Sequence, residues 1–203
     1  MQREVLKSKA KEQIKGNIGI LFVMTLIGIA VSFIASMIPF VGSLANTILI
    51  NPAFSIALVM IYLNLTNGKE IKIGDIFEGF YHFWGAFKIT FLISLFTALW
   101  SLLFIIPGIV KGYSYSMAMY IWSENKEMGA LEAISKSKEI MDGHKMDLFV
   151  LCLSFIGWIL LGGITFGIAY IYVIPYMDAT LANFYRAINP QTTVYDNIEQ
   201  ATV

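Results

Sequence analysis

Residues 86–122 read AFKITFLISLFTALWSLLFIIPGIVKGYSYSMAMYIW, and the fold turns on whether the chain crosses a bilayer once or twice within them. The first part, residues 86–106, is an apolar run of the length that spans a hydrocarbon core of about 30 Å. Pro107-Gly108 is a strong stop signal after it. The second part, residues 109–122, is short for a full crossing and carries Lys111, Tyr113, Ser114, Tyr115 and Ser116. If this piece does not return, Lys126, Lys136, Lys138 and Lys145 all fall outside, against the retention of basic flanks in the cytoplasm. A return crossing is therefore expected, with the Pro-Gly break at the outer side.

The same logic extends to the whole chain. Spans at residues 18–38, 43–65, 86–106, 109–122, 148–161 and 164–185 place Arg3, Lys7, Lys9, Lys11, Lys15, Lys69, Lys72, Lys88, Lys126, Lys136, Lys138, Lys145 and Arg186 at or near one side. Of the fourteen Lys and Arg residues, Lys111 alone falls on the other. The expectation is an all-α polytopic membrane bundle of about six spans with Pro/Gly-broken helices. Both termini are expected on the cytoplasmic side of the membrane. Composition agrees: 57% of residues are hydrophobic and 14% charged, and the mean hydropathy is +0.69. A soluble domain carries about 25% charged residues. Zero formal net charge gives no case for nucleic acid, and the lone Cys152 lies in an apolar run as a structural thiol.

Three segments lie outside the spans. Residues 1–17 form a basic arm in which Leu6, Ala10 and Ile14 recur every four positions between lysines, the pattern of an amphipathic helix that binds anionic lipid at the inner leaflet. Residues 66–85 are placed at the inner interface. A cytoplasmic helix is expected at residues 127–142, with Met128, Leu131, Ile134 and Met141 near helical spacing and Gly143 as its stop. Gly162-Gly163 reads as a tight outer turn between the last two spans, and residues 18–188 as one bundle. The polar tail, residues 189–203, is expected to be disordered. Asn51-Pro52 and Pro175 predict bends inside the second and sixth spans.

The stretch Leu103-Phe104-Ile105-Ile106-Pro107-Gly108-Ile109-Val110-Lys111-Gly112-Tyr113-Ser114-Tyr115-Ser116-Met117 resembles the hallmark of the DUF975 family of bacterial integral membrane proteins. Ala130-Leu131-Glu132-Ala133-Ile134 leading to Met141-Asp142-Gly143-His144-Lys145, Leu153-Ser154-Phe155-Ile156-Gly157-Trp158, Pro175-Tyr176 and Lys15-Gly16-Asn17 fit the same pattern. The likeness covers nearly the whole chain. It implies a multi-span helical protein without an established activity, distantly similar to the membrane domain found beside some glycerophosphodiester phosphodiesterases. No phosphodiesterase domain is present, so that activity does not carry over.

Candidate chemistry is sparse. Asp178 lies about 14 residues, roughly 21 Å, into the sixth span. A carboxylate at that depth faces an ion or proton pathway, or else pairs with Lys88 or Lys145 near the inner interface. Lys111, with Tyr113 and Tyr115, sits beside the Pro107-Gly108 break, where a discontinuous helix can meet a ligand. The alternative is an interfacial lysine among belt tyrosines. Asp75, Glu78 and His82 share a helical face, yet one histidine without a second nearby reads as a solvated face rather than a metal site. The spacings Gly108–Gly112 and Gly163–Gly167 signal close helix packing, within one chain or between copies. No catalytic constellation and no cofactor motif emerges. The expected role is therefore a non-catalytic accessory or interaction component, not an enzyme, working with a protein, lipid or peptide partner or as a homo-oligomer. A small transporter or channel with Asp178 in the ion or proton step is the alternative.

Overall fold

The computed structural model describes residues 3–38 and 40–189, and the described residues are helical, with no strand among them. In chain order the helices are α1 (Arg3–Ile14), α2 (Ile18–Ser36), α3 (Val41–Ala45), α4 (Asn51–Thr66), α5 (Glu78–Tyr81), α6 (Phe83–Leu103), α7 (Ile105–Tyr115), α8 (Ala118–Glu124), α9 (Ala130–Ile140), α10 (Lys145–Leu153), α11 (Ile156–Ile164) and α12 (Tyr170–Ile188). A π-helical turn, Asn46–Ile50, joins α3 to α4, and a 3-10 turn, Ile73–Phe77, precedes α5. Four helical stretches are long and apolar enough to cross a membrane: Ile18–Ser36, Val41–Thr66, Phe83–Leu102 and Lys145–Ile164. The expected tail falls almost wholly outside the described residues.

The decisive region folds as an antiparallel hairpin. α6 does not end at Pro107-Gly108 as the sequence suggested. It ends at Leu103, and Phe104 takes an extended conformation with φ −156° and ψ 140°. Pro107 then lies in the first turn of α7, where its missing N–H leaves no helical bond unmade. α7 packs back along α6 through its two glycines. Gly108 faces Ser101 so closely that a Cβ would overlap the serine hydroxyl, and a Cβ on Gly112 would meet the Thr97 methyl at 3.9 Å. The register continues past the break between α7 and α8: Gly85 lies against the Trp122 ring, and Lys126 reaches His82. The chain that leaves along α6 therefore returns along its full length.

That return is held by one buried serine. Ser137 of α9 accepts a hydrogen bond from the Met117 N–H at 3.2 Å and donates to the Ser114 carbonyl at 2.8 Å, spanning the break. α9 is shorter than expected, and Leu131 is exposed while Ala133, Ile134 and Ser137 face the bundle. Of the expected apolar positions Ile134 and Met141 are buried, and the small Ala133 and Ser137 complete the inner face.

Two more boundaries move. Gly162 and Gly163 lie within α11, and the turn falls at residues 165–169, where Gly167 has φ +90° and donates to the Gly162 carbonyl at 2.8 Å. Gly162 is the packing glycine here, since a Cβ on it would overlap the Tyr170 ring, whereas Gly163 has open space. The second correction concerns the arm. α1 forms as the spacing predicted and buries Leu6, Ala10 and Ile14, but against α12 and α4. Gln13 and Asn183 exchange side-chain hydrogen bonds, and Lys7 and Lys11 lie over the rings of Phe155 and Tyr176. The apolar stripe is used inside the bundle, so any contact with anionic lipid falls to exposed lysines such as Lys9 and Lys15.

Candidate functional site

The site grows from a wedge. Ile73–Phe77 and α5 press against the first two turns of α4. Gly79 is packed onto the Ala53 carbonyl and Ala57, and Phe80 meets Phe54 edge-to-face at 5.6 Å. Ile76, buried, also touches the α2 side. Beside this wedge a cavity of about 570 Å³ opens between α2, the π turn, α4 and α12.

Its lining sets polar side chains among apolar ones. α2 contributes Thr25, Gly28, Ser32 and Ser36, spaced three and four apart and so on one face. From the α4 side come Asn46, Asn51 and Ser55. Asn46 and Asn51 are five residues apart, a spacing that an α-helix turns to different faces. The π turn corrects this: the Asn51 N–H bonds the Asn46 carbonyl, so both amides reach the same cavity. Pro52 gives the physical cause, because it lacks an N–H and crowds the preceding turn, which the wider π turn relieves. The Asn46 Oδ1 is buried without a hydrogen-bond partner among the described residues.

Asp178 of α12 borders this cavity, with Ile174 one turn before it. Among the described residues its carboxyl makes neither an ion pair nor a hydrogen bond, and it lies within electrostatic reach of the buried phenols Tyr62 and Tyr120. The pairing with Lys88 or Lys145 does not form: Lys145 Nζ instead contacts Asp142 at 3.3 Å. Tyr120 also borders a second, apolar cavity of about 310 Å³ with Tyr113, Leu148, Cys152 and Leu181. Among the described residues no lysine, arginine or histidine lines either cavity.

The other sequence candidates lie elsewhere. Lys111 Nζ sits 4.7 Å from the centre of the Trp100 ring. Tyr113 packs edge-to-face on Phe149 at 6.0 Å, and Tyr115 is buried beside Phe96 and under Lys138. These three do not join Asp178. Asp75 accepts the Lys72 N–H at 2.8 Å as a cap. His82 meets Lys126 rather than a metal partner, and no group of three metal-ligating side chains occurs among the described residues. Burial, and then the neighbouring Lys126 charge, hold the His82 imidazole below its usual pKa. Burial likewise lowers Lys126, with Glu78 opposing. On the arm, burial and the nearby Lys11 and Arg3 lower Lys7.

Sequence reading singled out Asp178 and not the residues around it. The signal was present as hydroxyl and amide residues at helical spacing inside apolar runs, but the five-residue step from Asn46 to Asn51 hides it unless the π turn is known. A family model described as "Protein of unknown function (DUF975)" matches residues 1–111 and 102–192. No curated protein and no solved structure matches the chain.

Proposed function

Because the chain belongs to the DUF975 family, whose description assigns no activity, we propose a function from the cavity itself: a small membrane transporter in which Asp178 carries the ion or proton step. The protein sits in the bacterial cytoplasmic membrane with both termini inside. It crosses six times, through α2, α3–α4, α6, α7–α8, α10–α11 and α12, and the first crossing, α2, turns its hydroxyls to the cavity. The single supporting observation is the unpaired Asp178 carboxyl beside a cavity lined by amide and hydroxyl side chains. An ionised carboxylate removed from water is costly unless a cation or proton compensates it. This favours transport over the accessory role that composition alone suggested, and it assigns no bond-making chemistry to the protein.

The test is proton flux into liposomes that hold the purified full-length protein and a trapped pH-sensitive dye, driven by a potassium diffusion potential. Wild type is expected to acidify the lumen faster than protein-free liposomes, and Asp178→Asn to match the protein-free rate while remaining monodisperse. Equal rates for wild type and protein-free liposomes would overturn the reading.

A further inference from the structure

The shape and charge of the cavity specify a ligand more narrowly than a proton. It runs along α2 from Met24 to Ser36, twelve residues, or about 18 Å of helix. That is longer than an inorganic ion needs. Among the described residues its lining holds one acid and no base, so the fixed charge selects a cation. The remaining wall alternates small polar groups with large apolar ones, Ile29, Phe33, Phe54 and Leu58. Ile29 and Phe33 are 59% and 65% exposed, so the mouth opens sideways between helices rather than only at an end. The hydroxyls of Ser32 and Ser55 add acceptors that an N–H donor can use.

We propose that this cavity takes a long-chain primary amine, its ammonium at Asp178 and its alkyl chain along Ile29, Phe33 and Leu58, entering from the side of the bundle. This rests on the transporter reading above and names its substrate class. A zwitterionic phospholipid is the poorer fit, because its phosphate would find no basic partner in the lining.

The experiment measures retention of radiolabelled dodecylamine by the full-length protein in mild detergent. Wild type is expected to bind saturably, with one amine per chain. Asp178→Asn should weaken binding about tenfold or more, since about 1.4 kcal/mol of lost charge pairing has that effect. Asp178→Asn alters the buried charge itself, so Ser32→Leu provides a second variant that fills the cavity and leaves the carboxyl intact; it should lose binding while staying monodisperse. Dodecanol, ethylamine and dihexanoyl phosphatidylethanolamine are expected to compete poorly. Competition by dodecanol equal to that of the amine would overturn the assignment of charge, and equal competition by ethylamine that of the chain. Strong competition by the phosphatidylethanolamine would replace the free amine with a lipid, and non-saturable uptake unaffected by either variant would overturn the site. Asp178-dependent proton flux without amine binding removes this ligand class alone, whereas absence of that flux removes the transporter reading and the ligand assignment that rests on it.

Discussion

Lys126 Nζ lies 2.8 Å from His82 Nε2, joining the residue just before α6 to the segment just after α8. The contact closes the hairpin at the end opposite Phe104, and it requires the imidazole to accept, so the ring is neutral. Because burial and Lys126 lower its pKa in the folded protein, the unfolded chain binds the extra proton first as pH falls. Stability is thus retained above the ordinary histidine range, about pH 6.5, and declines as pH drops below it. Thermal unfolding of wild type at pH 7.5 and 5.5 should show a larger loss at low pH than His82→Gln shows. Equal losses would remove the linkage.

The Ser137 bridge predicts a larger effect. Ser137→Ala strands the Met117 N–H and the Ser114 carbonyl in a buried break, at a cost of about 1–3 kcal/mol. Ser135, exposed on the same helix, is the control: Ser135→Ala should leave the unfolding midpoint unchanged.

The wedge against α4 leaves no room at Gly79. Gly79→Ala drives a methyl into the Ala53 carbonyl, which belongs to the backbone and cannot rotate away. Overpacking of this kind costs roughly 1–3 kcal/mol. Gly19→Ala meets nothing within 4 Å in α2 and should be neutral, or stabilising by up to about 1 kcal/mol. Unfolding midpoints of the two variants decide whether the contact or the loss of a glycine matters.

The proposed six crossings predict which loops face outward. On a Cys152→Ala background, Phe166→Cys, 98% exposed in the turn before α12, should react with a membrane-impermeant maleimide in intact cells. Lys69→Cys should react only after the cells are opened. Labelling of both in intact cells would overturn the six-span arrangement.

How far the sequence carried the structure depends on which physical signal each feature used. The return after residue 108 was legible from charge, because lysines on the far side would have broken the inside bias. Its exact break was not, since a proline is tolerated in the first turn of a helix and so does not mark the bend, which falls at Phe104. The arm's stripe of Leu6, Ala10 and Ile14 announced a helix but not its partner, because an apolar face reads the same whether α12 or lipid covers it. Gly108 and Gly112 announced close packing and found it within the chain, on Ser101 and Thr97. The cavity was half visible: Asp178 stands out by cost, whereas Asn46 and Asn51 come together only through a π turn that no α-helical period predicts.

The helix that walls the cavity is most deeply buried at one end. On α2 only Leu21 and Met24 are fully buried, and both lie in its first half. From Thr25 to Ser36 the helix is held by partial contacts around the cavity and by Gly42 packed on the Ala35 carbonyl, so a swing about its Met24 end carries the α3 turn with it. α2 is in that sense a door hung from its lower edge, with the doorway and the cavity on the same side.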